Sequence, residues 1–321
     1  MNQAGLVVCV GELLIDFFCT DIDVDLKKGD NFIKQAGGAP ANVSAAIAKL
    51  GGTASFVGKV GNDPFGGFLI DVLDQAGVDT QRVSKDDAVR TTMAFVSLQA
   101  NGERDFVFYR GADERLTMAD VDLEYISHAR VMHFGSATAL LGGEALETYF
   151  SLIDLAKAKN MFISFDPNFR TNLWQGREDE FIERARRGIG QADFVKVSDE
   201  ELRLITTQED MLEGVRDLHH LGARVIAVTL GKEGTLISSN GQHAVIPSVP
   251  IKSVDSTGAG DSFVGATLFQ LAQAKEPAGL CDDFDELKRI IAFSNKVGAI
   301  VCTKVGAIAA LPSLEEVERF G

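Results

Sequence analysis

"VDSTGAGDSF", residues 254–263, lies between a stretch that reads as the end of a strand, residues 246–254, and an apolar helical run over residues 263–272. A strand feeding a glycine-rich turn that opens a helix is a place for an anion, because the first amides of the helix and its dipole point there. Gly258, Ala259 and Gly260 are small enough to turn their amides toward one point. Asp261, at the helix start, is then placed to take a proton from a hydroxyl attacking an anion in that nest. Taken alone, the same four residues also read as a tight turn with Asp261 as N-cap, since Asp is a preferred N-cap. The rest of the chain has to decide.

From Ala129 onward the chain alternates. "RVMHFGS" precedes "EALETYFSLIDLAKAKN", "MFISFDPN" precedes "EDEFIERARRGIGQ", "DFVKVS" goes with "DEELRLIT", and "RVIAVTLG" with "GTLISSN". Apolar strands alternating with amphipathic helices predict an α/β fold, with a mostly parallel central sheet covered by helices on both faces. The first 110 residues read differently. They hold one clear helix, "ANVSAAIAKLGG", closed by Gly51 and Gly52. "TTMAFVSLQANGERDFVFYR" reads as two strands around Asn101-Gly102, a hairpin signal. "CTDIDVDLKKGDNFIKQA" alternates loosely, like exposed strand. These pieces predict a small β lid, from residues 17–35 and 90–110, inserted in a single domain spanning 1–321. No internal repeat or Pro/Ser-rich linker argues for a second domain.

With 321 residues and 45% hydrophobic content there is ample material for one large core. The net charge is 31 − 46 = −15, which repels a phosphate backbone and makes nucleic acid a poor partner. It leaves room for a phosphorylated small molecule, which local amides and a few cations bind. "MNQAGLVVCVGELLIDFF" lacks a basic start and meets Glu12 and Asp16 early, so it reads as a first strand and not as a signal peptide. No apolar run reaches the ~18 residues of a membrane span. A soluble cytoplasmic protein without a membrane partner is expected. Cys9, Cys19, Cys281 and Cys302 are scattered, three of them in apolar runs, as packed thiols of a reducing compartment are. The five histidines show no metal-ligand spacing. Neither GxxxxGK[ST] nor a GxGxxG following a strand occurs, so the two common nucleotide fingerprints are absent.

Two further segments draw attention. In "QAGGAPANVSAAIAKLGG", Gly37 and Gly38 bring backbone close to a ligand and Asn42 opens a helix where it can grip hydroxyls; a plain loop-to-helix entry is the other reading. "FDPNFRTNLW" ends an apolar strand with Asp166, Asn168 and Arg170, and C-terminal strand ends line the crevice of a parallel sheet. Strand-end capping is its alternative.

"GGAPANVSAAIAKLGG" and "DSTGAGDSFVGA", in that order and more than two hundred residues apart, resemble the two signatures of the PfkB, or ribokinase-like, carbohydrate kinases. The resemblance runs from "VGELLID" to "VCTKVGAIAALPS", nearly the whole chain. It implies a ribokinase-like α/β sandwich with a β lid, Asp261 as catalytic base, and Gly258, Ala259 and Gly260 as anion hole. It implies sugar contacts from Asp16, Gly37, Gly38 and Asn42, with Arg170 reaching substrate or phosphate and Arg110 on the lid near the site. "KVSDEELRL" resembles the family's Asn-x-x-Glu segment, with Lys196 beside it. Ser198 stands where the family has asparagine, and Glu201 keeps the glutamate that organises magnesium through water. For ATP, "VTLGKEG" points to Thr229, Gly231 and Gly234, and "FSNKVGAI" to Asn295 beside adenine. Asp255 and Thr257, with Val301, Lys304 and Gly306, match the two halves of a loop pair that holds a monovalent cation, potassium, in relatives.

"GELLIDF", "GGAPAN", "NGERDFVFYR" and "DPNFRTNLW" look most like the fructokinases of the family. The rival is 2-keto-3-deoxygluconate kinase, which shares a DPN-x-R…LW segment. Asp16 favours a neutral ketose, because a carboxylate accepts bonds from hydroxyls and repels an acid substrate. Ribose and a riboside also fit, and a catalytically silent sugar or nucleotide sensor is the non-enzymatic alternative. The expectation is ATP-dependent phosphorylation of the primary hydroxyl of fructose, in a protein that pairs as a homodimer through its lid.

Overall fold

The structure is a computed structural model that describes residues 5–98 and 104–320. Among the described residues thirteen strands follow in chain order: β1 Leu6–Val10, β2 Leu14–Cys19, β3 Phe32–Gly37, β4 Thr53–Gly61, β5 Val83–Asp86, β6 Met93–Leu98, β7 Arg104–Tyr109, β8 Val131–Phe134, β9 Phe162–Phe165, β10 Phe194–Ser198, β11 Val225–Thr229, β12 Thr235–Ser239 and β13 Gln242–Ile246. Nine of them form the main sheet, in the order β13-β12-β11-β10-β9-β8-β1-β4-β5. All its pairings are parallel except β11–β12 and β12–β13.

The apolar runs of these strands are what a sheet buried on both faces requires. Val7 and Cys9 of β1 point into one core, against the helices Ala39–Lys49, Ala259–Gln273 and Phe284–Val301. Val8 and Val10 point into the other, against Glu144–Ala158, Glu178–Ile189 and Met211–Leu221. The expected mostly parallel α/β sandwich is therefore found. The alternation stops at β11, after which "GTLISSN" supplies the antiparallel β12. The strand expected over residues 246–254 is a correction: β13 ends at Ile246 and irregular backbone leads into the glycine turn. Pro247 and Pro250 each lack the amide a ladder needs there.

The lid is a four-stranded sheet in the order β3-β2-β6-β7. β6 and β7 pair antiparallel as the hairpin reading expects, with its Asn101-Gly102 turn outside the described residues. "MNQAGLVVCVGELLIDFF" makes two strands in different sheets, since the chain leaves the main sheet at Gly11 and enters the lid at Leu14. Of the exposed strand expected over residues 19–36, Cys19 ends β2 and residues 32–36 belong to β3. Residues 20–31 loop out, and the Asp21 carboxylate holds the amides of Asp30 and Asn31 at 2.7 and 3.0 Å. Phe17 stacks on Phe95 at 4.8 Å and meets Phe65 edge-on at 5.7 Å, and Lys34 lies 3.7 Å from the Phe68 ring centre. These contacts seat the lid on helix Pro64–Ala76. Among the described residues no helix is long and apolar enough to cross a membrane.

Candidate active site

The helix carrying the glycine turn begins at Ala259, with Gly258 as N-cap in the left-handed region at φ 76°. Asp261 therefore sits inside the first turn and is not the cap. A side chain at Gly258 would also press on Ala307, its Cβ 2.6 Å from that of Ala307. The Ala259 amide donates to Ser256 O at 3.2 Å. Of the three amides expected to face an anion, that one is spent inside the turn. Among the described residues nothing accepts from the amides of Gly258, Gly260 and Asp261, so the open set exchanges Ala259 for Asp261.

Asp261 is buried, and its Oδ2 accepts a 2.8 Å bond from Asn42 Nδ2, 219 residues away in sequence. Small residues on both helices bring these two together. A Cβ on Gly265 would lie 2.5 Å from Ala46 Cβ and 2.9 Å from Val43 O, so the helices Ala39–Lys49 and Ala259–Gln273 cross at near backbone contact. Asn42 Oδ1 is buried without a partner among the described residues. Such an orphan acceptor is costly unless a ligand hydroxyl meets it.

The entry to that helix is held by a residue that sequence reasoning passed over. Glu12, buried in the β1–β2 link, accepts from Ala39 N at 3.0 Å, from Ala137 N at 3.3 Å and from Ser136 Oγ. Burial pushes its carboxyl above the usual range, with the Ser136 bond opposing. The clue was an acid closing the apolar run "VVCVGE". Gly38, at φ 112°, runs so close to the Glu12 carbonyl that a side chain would overlap it, and Gly37 leaves the same room to the Asp16 carboxylate. Asp16 is half-buried, and burial pushes its carboxyl up to about 7 against the pull of Arg170. Register places Gln35, Ala94 and Phe108 beside Asp16 on one face of the lid. Arg110 follows the end of β7. Its guanidinium donates to Thr138 O at 2.9 Å and Gly142 O at 3.1 Å and lies 3.4 Å from buried Asp113, so it pins the base of the lid to the main body.

At the strand ends, Asp166 Oδ2 and Lys196 Nζ are 3.1 Å apart and both are buried. Burial raises the Asp166 carboxyl against the pull of Lys196, while Asp166, Glu201 and Asp261 keep the lysine cationic in spite of its own burial. Ser198 caps helix Asp199–Thr206, its Oγ taking Glu201 N at 3.1 Å. The Glu201 oxygens accept Ser198 N and Phe169 N, each at 2.7 Å. Ser198 thus offers a cap in place of the amide an asparagine would present. Arg170 is exposed at the end of the turn fixed by Glu201. His133 lies buried inside the sheet with Nδ1 3.0 Å from Ser164 Oγ.

Thr229 ends β11, and Gly231 and Gly234 frame the next turn with positive φ of 57° and 108°. At Gly234 a side chain would overlap Ile246 O. Asn295 lies beside this wall, but its side chain is spent. Oδ1 accepts Thr235 Oγ1 at 2.7 Å, and Nδ2 donates to Ile246 O at 2.9 Å. The residue expected beside adenine thus shapes the wall and offers no free polar atom. The two halves of the expected cation loop do meet: Asp255 accepts Thr257 N and Gly306 N, both at 2.9 Å. Val301 O takes Lys304 N at 3.1 Å, and the Lys304 ammonium points away to Glu316 at 3.4 Å.

Residues 4–314 match the pfkB family of carbohydrate kinases. The chain is 42% identical to Fructokinase-1 of Oryza sativa subsp. japonica over 99% of its own length and 98% of the relative's. A fructokinase from Xylella fastidiosa solved with bound ATP superposes with a TM-score of 0.90 at 33% identity, covering 100% of this chain and 98% of that one. A fructokinase from Vibrio cholerae O395, in a fructose-, ADP- and calcium-bound form, does so with a TM-score of 0.85 at 29% identity, covering 99% of each chain.

Proposed function

Because the chain belongs to the pfkB family of carbohydrate kinases and is a sugar kinase, we propose that it transfers the γ-phosphoryl of ATP to the primary hydroxyl of D-fructose, giving fructose 6-phosphate. The observation that carries this reading is the 2.8 Å bond between Asn42 and Asp261. It joins a hydroxyl-gripping amide to a carboxylate that lies beside open helix-start amides. Asn42 Oδ1 and the Asp16 carboxylate orient the sugar, and Asp261 accepts the hydroxyl proton. The amides of Gly258, Gly260 and Asp261 take up the charge developing on the transferred group. Positioning supplies most of the rate, with proton removal worth about 10²–10⁴-fold. Lys196 faces the nucleotide phosphates, and Thr229, Gly231 and Gly234 line its path. The lid closes over the sugar and excludes water.

Glu201 suits magnesium held through water, since each oxygen accepts one amide and keeps a second lone pair. Bound there, the ion would neutralise phosphate charge. The carbonyl-rich turns at residues 255–257 and 301–306, tied together by Asp255, suit a potassium ion that stiffens the glycine turn. We read residues 1–321 as one kinase unit with an inserted lid. The lid exposes Ile33, Val107 and Tyr109 and leaves β3 and β7 as edges among the described residues, a surface for a second copy of this chain that sedimentation velocity tests.

One observation favours a second reading, 2-keto-3-deoxygluconate. With Asp16 near 7 and Arg170 beside it, the protonated pocket would accept an acid. ADP release with fructose, ribose, 2-keto-3-deoxygluconate and fructose 1-phosphate, each with and without potassium, separates the cases. Fructose is expected to give the highest kcat/KM. Preference for the keto acid would replace the substrate, and sugar binding without turnover on any substrate would replace the enzyme with a sensor.

A further inference from the structure

The turn "DPNFR", residues 166–170, is more firmly tied down than a strand end requires. Asp166 Oδ1 accepts Asn168 N at 3.1 Å. Asn168 holds the left-handed region at φ 50°, and its Nδ2 donates to Gly135 O at 2.9 Å. Both residues are buried. This leaves Asp166 Oδ2 aimed at Lys196, and among the described residues that is the one ion pair the ammonium makes. On its other side, a Cβ on Gly260 would lie 3.4 Å from Lys196 Nζ. The lysine therefore stands between a fixed carboxylate and a glycine whose amide is open to an anion.

We infer that Asp166 is a positioning residue: its carboxylate, fixed by the Asn168 turn, aims the Lys196 ammonium across Gly260 at the phosphoryl group in flight. This rests on the kinase reading above. A flexible lysine placed by its own rotamers would spend entropy on reaching that point in each turnover, whereas a buried partner holds it there beforehand. A lysine so held gains most where charge concentrates on the transferred group. The effect is therefore on kcat more than on ground-state nucleotide binding. Ser198 sharpens the need, since its short hydroxyl is anchored in the helix cap and carries one donor hydrogen where an asparagine amide carries two.

The test is a double-mutant cycle on the full chain with Asp166→Asn, Lys196→Met and both together. The double variant leaves neither charge buried alone, so it guards against a folding failure of the Lys196→Met single variant. Asp166→Asn is expected to lower kcat about 10²-fold, with KM for both substrates changed less than about 3-fold. Lys196→Met is expected to lower kcat by about 10²–10³. The double variant should match Lys196→Met, because residues acting as a unit are not additive. The inference falls if Asp166→Asn slows the Lys196→Met background by the factor it slows the wild type. It also falls if the loss appears in KM with kcat intact, or in thermal stability alone. A wild type inactive on every sugar would instead overturn the kinase reading. Calorimetric ADP binding to all four proteins is expected to vary less than kcat, and an equal loss there would reassign Asp166 to ground-state nucleotide binding.

Discussion

The two asparagines that the sequence marks for ligands, Asn42 and Asn295, end in opposite conditions. Both are buried and both lie on helices packed against the same face of the main sheet. Asn42 spends its amide on Asp261 and leaves Oδ1 unmet, whereas both polar atoms of Asn295 are bonded within the protein. On the reading proposed above, the sugar side carries an unfilled hydrogen-bond demand that a polyol would meet. The nucleotide side would then be a finished wall that recognises by shape and backbone. Directional demand discriminates among sugars that differ by one hydroxyl, because a missing partner leaves a buried group unpaired.

The contrast breaks most sharply at Asp261. Asp261→Asn is expected to lower kcat by at least about 10²–10⁴-fold while fructose still binds; near-normal turnover in steady-state kinetics would remove the base assignment. Next, Asn42→Ala should lower kcat/KM for fructose by about 10–100-fold, as loss of bonds to charged and hydroxyl partners does. Its partner substitution, Asn295→Ala, should leave fructose kinetics alone. It should instead lower stability by about 1–3 kcal/mol, since Thr235 Oγ1 and Ile246 O lose their partner. Equal kinetic damage from both would erase the distinction.

The smallest effect is the pH dependence of the sugar site. With the Asp16 carboxyl up at about 7, KM for fructose should rise as pH falls below that value, approaching about tenfold per unit. Discrimination against an acid substrate should weaken over the same range. Stability runs the other way. A carboxyl raised on folding contributes stability fully below its unfolded value of about 4, and that contribution is lost as pH rises through about 7. Melting of the unliganded protein at pH 6 and pH 8 checks the sign, and a fructose KM flat from pH 5.5 to 8 would show that Asp16 does not titrate in the site.

Much was legible beforehand, where the signal is local. The buried strands read from their apolar runs, because a sheet covered on both faces needs side chains of one kind. The glycine turn read from its small residues, and the lid hairpin from alternation on either side of a turn dipeptide. What failed was where a side chain's fate depends on a distant partner. For Arg110 the sequence places it on the lid near the site, and only the packing shows its guanidinium tied to Thr138, Gly142 and Asp113. Residues 246–254 differ for a local reason instead: Pro247 and Pro250 remove the amides a strand would need, and β13 ends at Ile246.

By itself the sequence determined that residues 254–263 hold a glycine turn opening a helix on a mostly parallel α/β framework, because periodicity and backbone freedom are written residue by residue. Tertiary structure alone decided that Asp261 is no cap and that Asn42 meets it across 219 residues. It also decided that Asp166 holds Lys196 beside Gly260. Those facts depend on helices and strand ends packing to within a few ångströms, and hydrogen bonds and ion pairs act only at that range.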